Sequence, residues 1–186
     1  MRQLRKSFLC ILVLLTTTIL TTNADAQTTS KLVINELMQS NIDCIMDDLH
    51  EFPDSWVELY NNSDESINLK DYQIGTKDGN AWQLPNKTID AKGFIVVYCD
   101  KEEWSLHTDF RLDTGKGCVV YLLMGNEVVD SLPAALPKMP APNIAYGRKT
   151  DGGNEWGYQL TPTPGTTNCG EVCDEKHILG EPVFSE

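Results

Sequence analysis

The stretch Trp56-Val57-Glu58-Leu59-Tyr60-Asn61 alternates in the manner of a strand, with Trp56, Glu58 and Tyr60 on one face and Val57 and Leu59 on the other. Apolar side chains on both faces predict a strand covered on one side or on both, an environment better matched by two packed sheets than by an open sheet. Lys31–Met38 predicts a second strand, with Leu32, Ile34, Glu36 and Met38 on one face and Val33, Asn35 and Leu37 on the other. Residues 39–55 keep no period and read as a loop. Further strand pieces follow at Ser66–Leu69, Tyr72–Ile74, Trp82–Leu84, Phe94–Cys99, Phe110–Leu112, Gly117–Met124, Glu127–Leu132, Ile144–Arg148 and Trp156–Leu160. The Asp78-Gly79 pair and Gly125-Asn126 mark hairpin turns, and Pro133 to Pro142, with four prolines, cannot lie inside a sheet. No long amphipathic helix is visible. The regular spacing predicts an all-β sandwich or barrel.

The N-terminus departs from this pattern. A basic head (Arg2, Arg5, Lys6), an apolar run from Ser7 to Leu20 and the Ala24-Asp25-Ala26 site predict a secretory signal peptide over residues 1–26. Its removal takes away three basic residues and one acidic residue, leaving 12 Lys+Arg against 26 Asp+Glu, a net charge of −14. No basic cluster remains to displace counterions from phosphates or to bind anionic lipid, so neither nucleic-acid binding nor membrane insertion after cleavage is expected. The remaining length of about 160 residues suits one domain with a real core.

Val33-Ile34-Asn35-Glu36-Leu37, Trp56–Asn61, Asn68-Leu69 with Tyr72 and Ile74, Leu84-Pro85 with Ile89, Ala91 and Gly93, Gly117 with Val119, Tyr121 and Leu122, Val128-Val129-Asp130 and Thr163-Pro164-Gly165-Thr166-Thr167-Asn168 stand in an ordered series. In that order they resemble the lamin tail domain, in its bacterial secreted branch. The resemblance covers about residues 31–168, so residues 27–168 are taken as the domain. It implies an immunoglobulin-like β-sandwich used as a non-catalytic module. The acidic insertion after Met38 departs from the simple family pattern. Residues 169–186 are a tail or the start of a further domain: Glu181–Glu186 is similar to the opening of a chitobiase-type sandwich that follows such domains in secreted spore-coat-kinase-like proteins.

The chemistry-bearing residues are few. No nucleophile elbow, zinc-protease helix, phosphate loop or helix-loop-helix calcium loop is present, and His50, His107 and His177 read as exposed loop residues. Glu36 and Glu58 each sit on an apolar strand face. A buried carboxylate is costly unless paired, and Arg148 is the candidate to neutralise one of them, so Glu36, Glu58, Arg148 and Trp56 are read as structural core. Five cysteines follow the signal peptide. In an exported chain Cys99 with Cys118 and Cys169 with Cys173 are candidate disulfides, whereas Cys169, Cys173 and His177 lack a fourth zinc ligand. Loops at the end of a sandwich collect binding residues, and Asp43, Asp47, Asp48, Glu51 and Asp54 crowd one of them. That loop is either a solvated acidic surface or, with Asn41, a calcium site; otherwise no cofactor is expected. The expected function is an exported, non-enzymatic interaction or spacer module of the periplasm, cell surface or extracellular space, with a protein or surface glycan as partner. The alternative is an accessory domain of a secreted phosphotransferase or nuclease.

Overall fold

The structure, a computed structural model, describes residues 30–76, 81–114, 119–136 and 139–173. The signal sequence, the Asp78-Gly79 turn, Cys118, His177 and the Glu181–Glu186 segment lie outside the described residues. Eleven strands are assigned among those described: β1 (Leu32–Met38), β2 (Trp56–Asn61), β3 (Ile67–Asn68), β4 (Tyr72–Thr76), β5 (Ala81–Gln83), β6 (Thr88–Ile89), β7 (Phe94–Tyr98), β8 (Val120–Met124), β9 (Glu127–Ser131), β10 (Ala145–Arg148) and β11 (Trp156–Gln159). Asn68 caps a single 3-10 turn, Leu69–Asp71, by accepting from the Lys70 amide. Phe110–Leu112, expected as a strand, makes only an isolated bridge from Arg111 to Asp100.

The strands form an antiparallel five-stranded sheet in the order β11-β10-β1-β2-β7, a four-stranded sheet in the order β5-β4-β8-β9, and a short β3-β6 ladder. This is an immunoglobulin-like β-sandwich. Leu32, Ile34, Leu37, Val57, Leu59 and Val97 of the larger sheet share one core with Ile74, Val120 and Leu122 of the smaller.

One expectation about faces is corrected. Strict alternation would place Ile34 and Glu36 together, but the β1–β2 register shifts between these two residues. The bulge at Asn35 inserts one extra residue, so Leu32, Ile34 and Leu37 all enter the core while Glu36 and Met38 turn to the outer face of the sheet. Trp56 and Glu58 occupy that same outer face. Trp56 is fully buried there, against Met38, Val96 and Ala145, with Cys44 and Ile45 of the 39–55 segment packed on the cluster.

Candidate functional site

The outer face of the larger sheet carries two sites, one at each of its covering segments. At the first, the bulge brings Glu36 directly opposite Glu58 across the β1–β2 ladder, both side chains fully buried. Like charges in that position are destabilising. No arginine reaches them: Arg148 donates to both Asp130 oxygens at 3.0 and 3.1 Å, to the Ile34 carbonyl at 2.7 Å and to the Gly153 carbonyl. The expected pairing of Arg148 with one glutamate is therefore wrong. Gly147, not Arg148, is the β10 residue opposite Glu36, and the next residue along a strand projects to the other face.

Peptide hydrogens take the place of a cation. The Thr163 amide donates to both Glu36 oxygens at 3.1 Å and its hydroxyl donates at 3.0 Å, while the Gly165 amide donates to Glu58 at 2.6 Å and the Asn35 amide group at 2.9 Å. The Thr163–Asn168 segment is thus fastened over the sheet by two glutamates. Burial raises the Glu36 carboxyl from 4.5 to about 7, against the pull of the Thr163 donors; burial likewise raises Glu58 to about 8, against Asn35 and Gly165, with Glu36 and Asp151 adding repulsion. Carboxyl oxygens engaged by backbone and side-chain donors are suited to holding a segment in place.

The second site is the acidic loop. Its neck closes through the Asn41 amide and the Asp54 carbonyl at 2.9 Å, in the manner of an Ω-loop. Asn41 is consumed inside: its side chain donates to the Ile45 and Pro53 carbonyls and accepts from the Cys44 and Ile45 amides. The five carboxylates do not converge, and both polar atoms of the Asn41 side chain are engaged within the loop. Asp43 accepts from Asn143 and Asp54 pairs with Arg111; Asp48 and Glu51 are exposed. Only Asp47 turns inward, with Oδ1 accepting from the Leu49 and Glu51 amides at 2.8 and 2.9 Å. With the polar groups used inside, Ile42, Met46, Leu49 and Phe52 are left 45 to 58% exposed.

Asp47 meets residues that sequence reasoning missed. It joins Asp100, Glu102 and His107, one ligating atom from each lying within 4.8 Å of the others. His107 is not an exposed loop residue but is 99% buried: its exposure is 1%. Its Nδ1 lies 2.6 Å from Asp100 and 3.7 Å from Glu102, and Trp104 stacks on the ring at 4.7 Å while bonding Glu102 through Nε1 at 3.1 Å. Backbone bonds from Tyr98 to Leu106 and from Thr108 to Tyr98 hold this segment to the end of β7. Lys101, Glu103 and Ser105 adopt left-handed φ of 73, 56 and 50° between the cluster residues. Such conformations cost about 1–3 kcal/mol each and collect at functional sites. The available signal was Asp100-Lys101-Glu102 followed five residues later by His107, directly after the most β-prone run.

The lamin tail domain model matches residues 25–134, more than half of the chain. The chain belongs to the lamin tail domain family. No curated protein matches it significantly. The family is one of immunoglobulin-like interaction modules. In this lamin tail domain the match spans β1 to β9 and contains all four residues of the Asp47 cluster, both buried glutamates and the Ω-loop, whereas Thr163 and Gly165 fall after it.

The cysteine expectations divide. Cys118, the expected partner of fully buried Cys99, lies outside the described residues. The Cys169–Cys173 bridge is not formed. Cys173 bridges Tyr158 through both backbone groups and aims its sulfur at the Tyr158 carbonyl, whereas a left-handed turn at Gly170, φ 80°, leaves Cys169 as an exposed free thiol beside the Glu171 carbonyl. Cys44 stands half-buried behind Trp56, its thiol pushed up by burial and then by Glu36 and Asp43. A cavity of about 400 Å³ is lined by Lys149, Tyr158, Leu160, Cys169, Glu171 and Val172, with Lys149 paired to Glu155 at 3.1 Å.

Proposed function

We propose that this lamin tail domain is an exported, non-catalytic interaction module of the cell envelope or surface, and that it docks through the Ω-loop from Asn41 to Asp54. The observation that carries the reading is the inverted arrangement of that loop. Asn41 and Asp47 are spent on the loop's own backbone, while Ile42, Met46, Leu49 and Phe52 face water. An ordered loop that exposes large apolar groups forgoes roughly 1.5–3 kcal/mol of burial for each of them, and such surfaces are recovered at interfaces. The segment 39–55 has no Lys or Arg, and Asp48 and Glu51 lie beside the apolar groups. The complementary partner is a polypeptide surface whose apolar side chains are flanked by lysine or arginine. Export is supported by the signal pattern of residues 1–26, and the non-catalytic role by the engagement of Glu36 and Glu58 with backbone donors.

The test is capture from envelope extract by the purified protein, compared with two loop variants, Leu49→Ser/Phe52→Ser and Asp48→Lys/Glu51→Lys. Both variants are expected to lose the same bound polypeptide while keeping the parent melting temperature within about 3 °C, as surface changes do. A partner retained by both variants overturns the loop assignment. Turnover of a phosphoester or glycoside, abolished by Glu58→Gln, overturns the non-catalytic reading.

A further inference from the structure

The four-stranded sheet turns Ile74, Val120 and Leu122 into the core, and the alternate positions form its outer face. There Gln73 and Gly75 of β4 pair with Leu123 and Tyr121 of β8. Gln83 and Ala81 of β5 continue the face on one side, and Val128 and Ser131 of β9 on the other. None of these eight positions is charged, in a chain with 23% charged residues. The register shift between Leu122 and Leu123 keeps Asp130 away from them: it pairs with Leu122 and turns inward to Arg148. The face is open to water, with Val128 55% exposed, Gln83 and Ser131 exposed, and Tyr121 and Leu123 half-buried.

A second observation concerns the shape of this face. A Cβ built on Gly75 would lie 2.7 Å from Tyr121 Cζ and 2.8 Å from its hydroxyl oxygen. An upright tyrosine would carry its hydroxyl well clear of the sheet, so this ring lies down across β4, and Gly75 is buried beneath it although it points outward. Only a residue without a side chain leaves room for that posture. The result is an aromatic ring laid along an uncharged sheet face, with amides beside it: Gln73 Nε2 donates to Gln83 Oε1 at 3.3 Å in an exposed position.

We infer that the outer face of the four-stranded sheet is a binding platform for a neutral glycan, with one sugar ring stacked on Tyr121. The C–H face of a pyranose carries partial positive charge and suits the negative face of an aromatic ring. The Gln73 amide and the Ser131 hydroxyl, which both donate and accept, suit sugar hydroxyls. The absence of charge disfavours an anionic or cationic ligand. Size favours a glycan over a polypeptide: four strands about 4.8 Å apart, with two outward positions on each, give a patch of about 14 by 7 Å. A stable protein interface needs about 800 Å² from each partner, several times that area. The Ω-loop packs on the outer face of the other sheet, so this platform lies on the opposite side of the sandwich and acts whether or not the loop docks a polypeptide.

The purified protein is run in native gels containing hydroxyethyl cellulose, xylan, α-mannan or glycol chitin, with polygalacturonate as the anionic comparison. Retardation by at least one neutral polymer and none by polygalacturonate is expected. Tyr121→Ala should weaken that binding about tenfold, the upper end of what one aromatic contact contributes, whereas Tyr121→Phe, which keeps the ring, and the Ω-loop variant Leu49→Ser/Phe52→Ser bind as the parent does. Should Tyr121→Ala fail to fold, Val128→Glu, which places a charge at an exposed position of the face, is expected to abolish retardation with an unchanged melting temperature. No retardation by any of the neutral polymers overturns the assignment. So do equal retardation of the parent and of Tyr121→Ala or Val128→Glu, loss of binding in the Ω-loop variant, equal retardation by polygalacturonate, or a polypeptide from envelope extract, in place of a glycan, that Tyr121→Ala ceases to capture.

Discussion

Raising the pH from 5 to 7 should destabilise this domain, against the usual trend for an acidic protein. Glu36 and Glu58 carry unfolded values near 4.5, and burial raises them in the folded state to about 7 and about 8. The folded chain therefore binds these protons more tightly than the unfolded chain. The stability this contributes is fully present below about pH 4.5 and is lost as pH rises through the folded values. Within that window each group removes up to about 1.4 kcal/mol per pH unit. Two groups over the two units from pH 5 to 7 give at most about 5 kcal/mol, comparable with the lower end of total domain stability, about 5–15 kcal/mol. Urea unfolding at constant ionic strength, followed by tryptophan fluorescence at pH 5, 6 and 7, reads the slope directly. Glu58→Gln, which mimics the protonated acid, should cut the slope by about half and narrow the gap to the parent at pH 7. A midpoint that is flat or rises over this range, or a Glu58→Gln slope equal to that of the parent, refutes the reasoning.

Trp56→Ala removes a fully buried indole from the cluster with Met38, Val96 and Ala145. It should cost about 3–5 kcal/mol, checked by the urea midpoint; a parent-like midpoint would show that the cluster carries little of the stability. A methyl at Gly147 would lie 2.6 Å from Gln159 Nε2 and 3.1 Å from Glu36 Cγ, so Gly147→Ala should lose about 1–3 kcal/mol through overpacking. The same variant should also raise proteolytic cleavage near Thr163, because Glu36 is displaced from its donors.

The strands were largely legible because each combines a period-2 stretch with a turn signal. Trp56–Asn61 and the β8–β9 hairpin around Gly125-Asn126 lie where alternation and turn chemistry place them. Asn35 was not legible as a bulge. Nothing in Val33–Leu37 distinguishes continuous alternation from one inserted residue, and that insertion decides which side Glu36 occupies. Arg148 was misassigned for a related reason: charge complementarity suggests partners, but register turns Arg148 to the face opposite Glu36, where Asp130 of the other sheet meets it. The Asp47 cluster escaped because its members are separated in sequence and join only when the Ω-loop folds against the turn after β7. The exposed apolar groups of that loop were in plain view, but they look like core until Asn41 and Asp47 are seen to occupy the interior.

The placement of β1 has a consequence for the order of folding. Its second neighbour is β10, and the Arg148 bond to Ile34 spans 114 residues, while the Thr163 bonds to Glu36 span 127. Contacts of such separation carry a large loop-closure entropy and form late, which slows folding and prolongs the life of partly closed states. A nascent chain that has paired β1 with β2 still presents the far edge of β1 to solvent, where a foreign strand could add. In that state Glu36 and Glu58 are hydrated and charged at neutral pH, and charged side chains at an open strand edge oppose edge-to-edge association. Closure by the late segment buries both residues and shifts them toward the protonated form. The two glutamates thus act as guards of the open sheet before they become fasteners of the closed one.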